Sequence, residues 1–179
     1  MDEQQIDVDG QRIAYGQSEG QGQPVIFVHG NSSSARTWQQ VMAGPFGQRF
    51  RCLALDLPGH GNSAKVANRE DYSLPGYASI LAGFAQATDA SDVVIVGWSL
   101  GGHIALEAAS AMPAAAGYVI LGTPPVASAA QMGEAFLPNP AMNVGFTADV
   151  DPDQARAYAA SGTAPGSALS LDGFVADLP

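Results

Sequence analysis

Short runs of apolar residues alternate with helical patterns along the first two thirds of the chain. Apolar residues recur at helical spacing in stretches that begin at Trp38, Tyr77 and Leu100. Two short strand patterns near the start, Ile6–Val8 and Arg12–Tyr15, flank a turn signal and predict a hairpin. Four continuous apolar runs are typical of strands buried on both faces of a parallel sheet. The alternation predicts an α/β fold, a mostly parallel sheet with helices on both faces. The four runs are Val25–Val28, Cys52–Leu55, Val93–Val96 and Tyr118–Leu121.

The last third of the chain has a different pattern. Beyond Pro125 it is rich in Ala, Gly, Pro and Ser and holds no run typical of a buried strand. One helix is signalled there by an N-cap, a proline at the first position, a capping box and a glycine after the end. We therefore expect a core of residues 1–125 and a mostly helical segment of residues 126–179 that lies over the sheet. The helix signals are Asp151, Pro152, Gln154 and Gly162.

The composition argues against several classes of function. The 179 residues include 7 Lys and Arg against 17 Asp and Glu, a formal net charge of −10 that repels a nucleic-acid backbone. The single cysteine, Cys52, leaves no intrachain disulfide, and no residue spacing predicts a metal site. The first residues are polar, and no apolar run approaches the length of a membrane span. We expect a cytoplasmic protein that binds neither nucleic acid nor membrane.

The pentapeptide Gly97-Trp98-Ser99-Leu100-Gly101 matches the motif G-x-S-x-G. It follows a predicted buried strand and opens a predicted helix, which is where a nucleophilic serine lies on a strand-to-helix turn. The glycines allow the tight turn, and the Leu100 N–H at the helix N-terminus favours negative charge on a carbonyl oxygen attacked by Ser99. The competing interpretation is an ordinary N-cap serine. The context favours Ser99 as a nucleophile.

Together with two further blocks, this motif resembles the α/β-hydrolase superfamily, in its serine esterase and lactonase-like branch. The resemblance implies that fold, with a helical cap that residues 126–179 would begin. It also implies that the Asn31 N–H joins the Leu100 N–H in an oxyanion hole, and that Asp56 and the glycines after it shape a loop beside the site. We expect Trp98 to line the substrate pocket. The three blocks are Phe27–Asn31, Asp56–Ser63 and Val96–Gly102.

The partners of the nucleophile are not evident in the sequence. The triad order of this fold is Ser, then Asp or Glu, then His, but no histidine follows His103. We expect structural roles for His29, His60 and His103. Three explanations stay open: a piece of a longer hydrolase, a natural short homologue that binds ligands or pairs with another chain, or an unorthodox base such as His60 or His103. The aspartates after Ser99 all lie in the cap-like segment: Asp149, Asp151, Asp153, Asp172 and Asp177.

We expect the parent activity to be hydrolysis of a small carboxylic ester or lactone through an acyl-enzyme on Ser99. In this chain it would be impaired, because the triad acid and histidine are missing. An acyltransferase on the same serine and a catalytically inactive binding or interaction protein are the alternatives. No metal or organic cofactor is implied. The last strands of the fold are also missing, so we expect an exposed sheet edge at Tyr118–Leu121 through which the chain dimerises or pairs with a complementing chain.

Overall fold

The computed structural model describes residues 2–136, 139–147, 150–167 and 170–176. The chain divides into two compact units, Met1–Thr123 and Pro124–Pro179. The strands of the described residues all belong to the first unit, and the described part of the second unit is helical and irregular.

The first unit is built on one sheet. Its strands are β1 (Asp2–Val8), β2 (Gln11–Gln17), β3 (Gly22–Val28), β4 (Phe50–Leu55), β5 (Val94–Trp98) and β6 (Gly117–Leu121). Within the described residues their order in the sheet is β1-β2-β4-β3-β5-β6. β1 pairs antiparallel with β2, and β2 with β4, whereas the other three pairs are parallel. The predicted mostly parallel α/β sheet and the N-terminal hairpin are confirmed.

The helices of the first unit follow the predicted stretches, with one difference. They are α1 (Gln39–Ala43), α2 (Pro45–Arg49), α3 (Leu74–Ala87) and α4 (Leu100–Ala108), with 3-10 helices at Ala35–Trp38 and Arg69–Tyr72. The stretch that begins at Trp38 is not one helix but three short ones. Gly44 is extended, with φ −86° and ψ −172°, and Pro45 opens α2 because a proline has no N–H to continue α1.

Helices pack against both faces of the sheet at β3, β4 and β5, as three of the four apolar runs predict. The fourth run, Tyr118–Leu121 in β6, was predicted to be buried on both faces but is half-buried to exposed. One face packs against α3 and α4 in the larger hydrophobic cluster, which includes the fully buried Leu81, Phe84 and Ile104. The other face packs against the 3-10 helix and α1 through Trp38 and Met42. Successive strand residues contribute to opposite clusters because side chains alternate across a strand. Ile26 and Val28 lie in the larger cluster, and Val25 and Phe27 in the smaller one.

The strand register brings three loops together. Val28 pairs with Leu55 of β4 and with Gly97 of β5, so these parallel strands end at nearly the same level. The segments that follow them begin at His29, Asp56 and Ser99, and they meet at the carboxyl edge of the sheet. Ligands of open α/β sheets bind at this edge. The three blocks singled out in the sequence therefore converge in space.

At the β6 end of the described sheet, the apolar side chains are exposed. Val119, Ile120 and Leu121 keep 45%, 41% and 45% of their surface in contact with solvent. β6 pairs with β5 on one side, and the described residues place no strand on its other side. The expected exposed edge is thus present. Dimerisation through it stays a prediction.

The second unit contains α5 (Ala129–Ala135), a 3-10 helix (Met142–Phe146), α6 (Pro152–Ser161) and α7 (Leu171–Ala176). The predicted N-cap of α6 is confirmed, because the Asp151 carboxylate accepts the N–H groups of Asp153 and Gln154. Pro152 opens α6 and Gly162 follows it. Asp149 and Asp177 lie outside the described residues. None of the helices described is both long enough and apolar enough to cross a membrane.

Candidate active site

Ser99 is the turn residue between β5 and α4 and has a strained backbone. Its φ of 53° and ψ of −117° lie outside the regions that a residue with a side chain ordinarily adopts. Hydrogen bonds on both sides hold this conformation. The Ser99 N–H donates to the Leu121 carbonyl at 2.8 Å, and its carbonyl accepts from the Gly102 N–H and the Thr123 hydroxyl, both at 3.0 Å. The end of β6 therefore braces the turn.

Glycines around Ser99 let backbone segments approach each other closely. A Cβ on Gly97 would lie 2.6 Å from the Gly102 nitrogen, and a Cβ on Gly101 would lie 2.7 Å from the His29 carbonyl oxygen. Neither neighbour can move cheaply, because both are main-chain atoms. A side chain would not fit at either position, and this explains why the motif G-x-S-x-G has glycine at both ends.

The helix that follows places positive charge beside the serine. α4 has nine residues and begins at Leu100. The N–H of the first residue has no acceptor inside its own helix, and the helix dipole adds a partial positive charge at this end. The Leu100 side chain packs against the larger hydrophobic cluster. The turn therefore presents the Ser99 side chain next to a main-chain donor, the arrangement that an oxyanion requires.

The loop after β3 lies directly beside Ser99. A Cβ on Gly30 would be 3.2 Å from the Ser99 Cβ and 3.0 Å from the Trp98 ring, so the Gly30 backbone touches the turn. Asn31 is the next residue and is half-buried. The three serines that follow, residues 32–34, are buried, and Ser32 has a φ of 54°. The structure thus brings Asn31, Trp98, Ser99 and Leu100 into one region of the sheet edge.

His29 is uncharged and stabilises this loop through hydrogen bonds to both of its ring nitrogens. Its Nε2 accepts the Leu57 N–H at 3.0 Å, so the ring proton lies on Nδ1, which donates to the Gly30 carbonyl at 2.7 Å. Burial, with the charge of His60 as a smaller cause, lowers the pKa of His29 to about 3. Both ring nitrogens are occupied and the ring stays uncharged near neutral pH. It therefore cannot serve as a general base, in agreement with the structural role expected of it.

The structure also shows the surroundings of two other residues considered in the sequence, His60 and Trp98. The His60 Nδ1 donates to the Pro58 carbonyl at 3.2 Å, and its ring lies 5.1 Å from that of His29. The half-buried Trp98 ring lies beside Gly30 and Gly122, and the Gly122 φ is 57°. Its place next to the serine is consistent with a pocket wall, a role that stays a prediction.

Proton transfer from Ser99 has no evident acceptor in the described residues. There the Ser99 hydroxyl makes no hydrogen bond, although its main chain makes several. His103 is half-buried one turn along α4, and its N–H donates to the Ser99 carbonyl at 3.3 Å. Asp151, Asp153 and Asp172 belong to the second unit. Among the described residues, the Ser99 hydroxyl therefore has no hydrogen-bonded base.

The sequence interpretation missed Thr123. Its hydroxyl lies 3.0 Å from the Ser99 carbonyl oxygen and 3.1 Å from the Leu121 carbonyl oxygen, and its side chain fills the space above Gly102. The only signal in the sequence was its position just after a predicted strand. A contact across 24 residues depends on β6 lying next to β5, which the sequence did not reveal.

The sequence profile of the alpha/beta hydrolase family matches residues 25–179. The chain belongs to the alpha/beta hydrolase family. The superfamily predicted from the three sequence blocks is therefore confirmed. The described residues of this alpha/beta hydrolase include no cluster of three or more metal-ligating side chains.

Known proteins are similar to this alpha/beta hydrolase over different lengths. A solved structure of the N-acyl homoserine lactonase AidH complexed with N-butanoyl homoserine is 35% identical, with a TM-score of 0.91 over 99% of this chain and 65% of that one. The uncharacterized protein Rv2715 of Mycobacterium tuberculosis is 39% identical over 106 residues, 59% of this chain and 30% of that protein. A pimeloyl-acyl-carrier-protein methyl ester esterase of Vibrio cholerae is 38% identical over 95 residues, 53% of this chain and 34% of the esterase. The chain thus spans about two thirds of the lactonase and a third of the other two.

Proposed function

We propose that this alpha/beta hydrolase carries the nucleophile of a serine hydrolase that acts on small carboxylic esters or lactones. The observation that carries the proposal is the Ser99 backbone, with φ 53° and ψ −117° at the junction of β5 and α4. Such strain persists only where the surroundings enforce it, and it is concentrated at functional sites. An ordinary N-cap serine has extended backbone and bonds its own helix, whereas the Ser99 side chain makes no cap hydrogen bond.

In the proposed reaction, Ser99 Oγ attacks the carbonyl carbon and forms an acyl-enzyme. The bond to the leaving alcohol breaks and the alcohol oxygen takes a proton; in a lactone this alcohol stays attached to the acyl chain. Water then releases the acid and restores the serine. The N–H groups of Asn31 and Leu100 would stabilise the negative charge on the carbonyl oxygen in both steps. The approach of Gly30 to the Ser99 Cβ supports the inclusion of Asn31.

Turnover by these 179 residues should be slow. The hydroxyl has no hydrogen-bonded base among the described residues, and no histidine follows His103. Without such a base the attacking alkoxide is scarce at neutral pH. Enzymes that lose one triad member typically keep about 10³–10⁴-fold acceleration over water through binding and the oxyanion hole. We expect the chain to act in this range.

The substrate class is proposed from the comparisons. The lactonase named above is similar over 99% of this chain, with a TM-score of 0.91, and its structures contain N-acyl homoserine or its lactone. An esterase is among the relatives by sequence. Lactones and esters present the same electrophile, a carbonyl carbon with an alkoxide leaving group. N-hexanoyl homoserine lactone and a short-chain nitrophenyl ester are therefore the first substrates to assay.

The test is a comparison of the chain with Ser99→Ala, with and without added imidazole. In plain buffer we expect slow hydrolysis by both proteins. Imidazole supplies the missing proton acceptor, so it should accelerate hydrolysis by the chain more than by Ser99→Ala. Ser91 is exposed, and Ser91→Ala is the matched control, which should respond to imidazole like the chain without substitutions. Equal acceleration of all three proteins would contradict a nucleophilic Ser99. Fast Ser99-dependent hydrolysis in plain buffer would contradict the inference that the chain lacks a base for Ser99.

A further inference from the structure

Two consecutive residues after β4 hold both ends of the loop that carries Asn31. At the first end, the Leu57 N–H donates to the His29 ring at 3.0 Å. At the second end, the Ala35 N–H donates to Asp56 Oδ1 at 2.7 Å. The intervening residues, Gly30–Ser34, are thereby fixed to the segment after β4 as well as to their own strand.

The Asp56 carboxylate occupies a site shaped for it. Asp56 is 5% exposed, and its second oxygen accepts the Asn62 N–H at 2.8 Å. Gly61 folds over the carboxylate with a φ of 48°, and a Cβ there would overlap the Asp56 oxygens. The main-chain carbonyl of Asp56 accepts the Ser63 hydroxyl at 2.7 Å. A carboxylate in this place joins two loops through one side chain.

The charge makes this connection stronger than a neutral side chain would. Hydrogen bonds to an ionised carboxylate are roughly twice as strong as those between neutral groups. A carboxylate also offers two acceptor oxygens, whereas an amide offers one acceptor and one donor. In Asp56→Asn the amide nitrogen would face the N–H of Ala35 or of Asn62, and one of the two bonds would be lost.

We propose that Asp56 is a positioning residue for the oxyanion hole. Its carboxylate fixes the second end of the loop Gly30–Ser34, so that the Asn31 N–H points at the oxygen of a group attacked by Ser99. The inference rests on the proposed function, because it assigns Asp56 a role in that same reaction. Asp56 itself touches no substrate and acts through the loop.

The readout is the covalent reaction of Ser99 with a fluorophosphonate in the presence of imidazole, which replaces the base that the described residues lack. Ser99 Oγ attacks phosphorus, fluoride leaves and imidazole takes the hydroxyl proton. The dependence of the rate on probe concentration separates the probe's binding constant from the maximal rate of bond formation. Loss of an oxyanion contact slows bond formation and leaves ground-state binding unchanged. We expect Asp56→Asn to lower the maximal rate about ten- to a hundredfold and to keep the binding constant.

Two further variants keep the test decisive. Asp89→Asn is the control, since Asp89 is an exposed aspartate whose φ of 52° an asparagine also adopts. Ala35→Pro removes the N–H that Asp56 Oδ1 accepts. A proline should fit at this position, because Ser34 before it is extended and Ala35 is the first residue of a 3-10 helix, where proline is favoured. It should slow bond formation as Asp56→Asn does, and it replaces that variant if Asp56→Asn does not fold. Urea unfolding measures the folded fraction of each protein, to which the rates are normalised.

The outcomes separate this inference from the proposed function. Slower bond formation in a folded Asp56 or Ala35 variant, with Asp89→Asn unchanged, supports the positioning role. Folded variants that react at the rate of the unmodified chain would overturn it and leave the proposed function intact. A purely structural role would reduce the folded fraction without changing the normalised rate, and this result also overturns the inference. If the unmodified chain is not labelled at Ser99, both proposals fail.

Discussion

The buried His29 should make the stability of the first unit depend on pH in a defined way. Its pKa is lowered to about 3 in the folded chain by burial and, to a lesser degree, by the charge of His60. In the unfolded chain the pKa returns to the ordinary value of about 6.5. Below that value the unfolded chain binds a proton that the folded chain does not, so stability falls as the pH falls. The free energy of unfolding should drop by about 1.4 kcal/mol from this group between pH 7.5 and 5.5.

Urea unfolding followed by tryptophan fluorescence measures this dependence, because both tryptophans, Trp38 and Trp98, lie in the first unit. The comparison is between the unmodified chain and His29→Gln, which has no proton to gain in this range. The variant should be less stable at pH 7.5, because it loses packing and hydrogen bonds, but its stability should fall less between the two pH values. Equal falls in the two proteins would refute the assignment of His29 as a buried neutral ring.

Two further predictions concern the turn at Ser99. Gly97→Ala places a Cβ 2.6 Å from the Gly102 nitrogen and should lower the free energy of unfolding by about 1–3 kcal/mol or more. The control is Gly117→Ala, because a Cβ at this strand position would have no atom within 4 Å. Equal stability of the two variants in urea would contradict the close approach at Gly97. Thr123→Val removes the hydroxyl that bonds the Ser99 carbonyl and should slow fluorophosphonate labelling of Ser99, whereas Thr123→Ser should keep the rate within a few fold. Labelling that Thr123→Val leaves unchanged would show that the Thr123 hydroxyl does not support the turn.

The sequence was sufficient to predict the strands because burial on both faces demands uninterrupted apolar runs. Ile26, Leu53 and Ile95 are fully buried in the middle of such runs. The helical stretch that begins at Trp38 was less well predicted, since periodicity alone did not show that Gly44 and Pro45 divide it. Local patterns thus predicted which segments are buried, and backbone constraints at single residues set where the helices end.

The position of Ser99 could be predicted because its motif, its strand and its helix are contiguous in sequence. The bonds that support it could not. Asp56 reaches Ala35 across 21 residues, and Leu57 reaches His29 across 28, and both contacts require β4 to lie beside β3. The neutral state of His29 likewise follows from burial by surrounding segments. Such features depend on the order of strands in the sheet, which periodicity does not encode.

The most direct test of the account is the site of acetylation by p-nitrophenyl acetate. Incubation with added imidazole, which takes the hydroxyl proton, followed by acid quenching traps an acyl-enzyme in which the Ser99 Oγ has displaced nitrophenolate. Peptide mass spectrometry then locates the acetyl group. The account predicts one acetyl group on the peptide that contains Ser99 and none on this peptide in Ser99→Ala. Ser91→Ala should be acetylated in the same way as the chain without substitutions. An acetyl group that is spread over other residues, or that forms equally in Ser99→Ala, would contradict a nucleophilic Ser99.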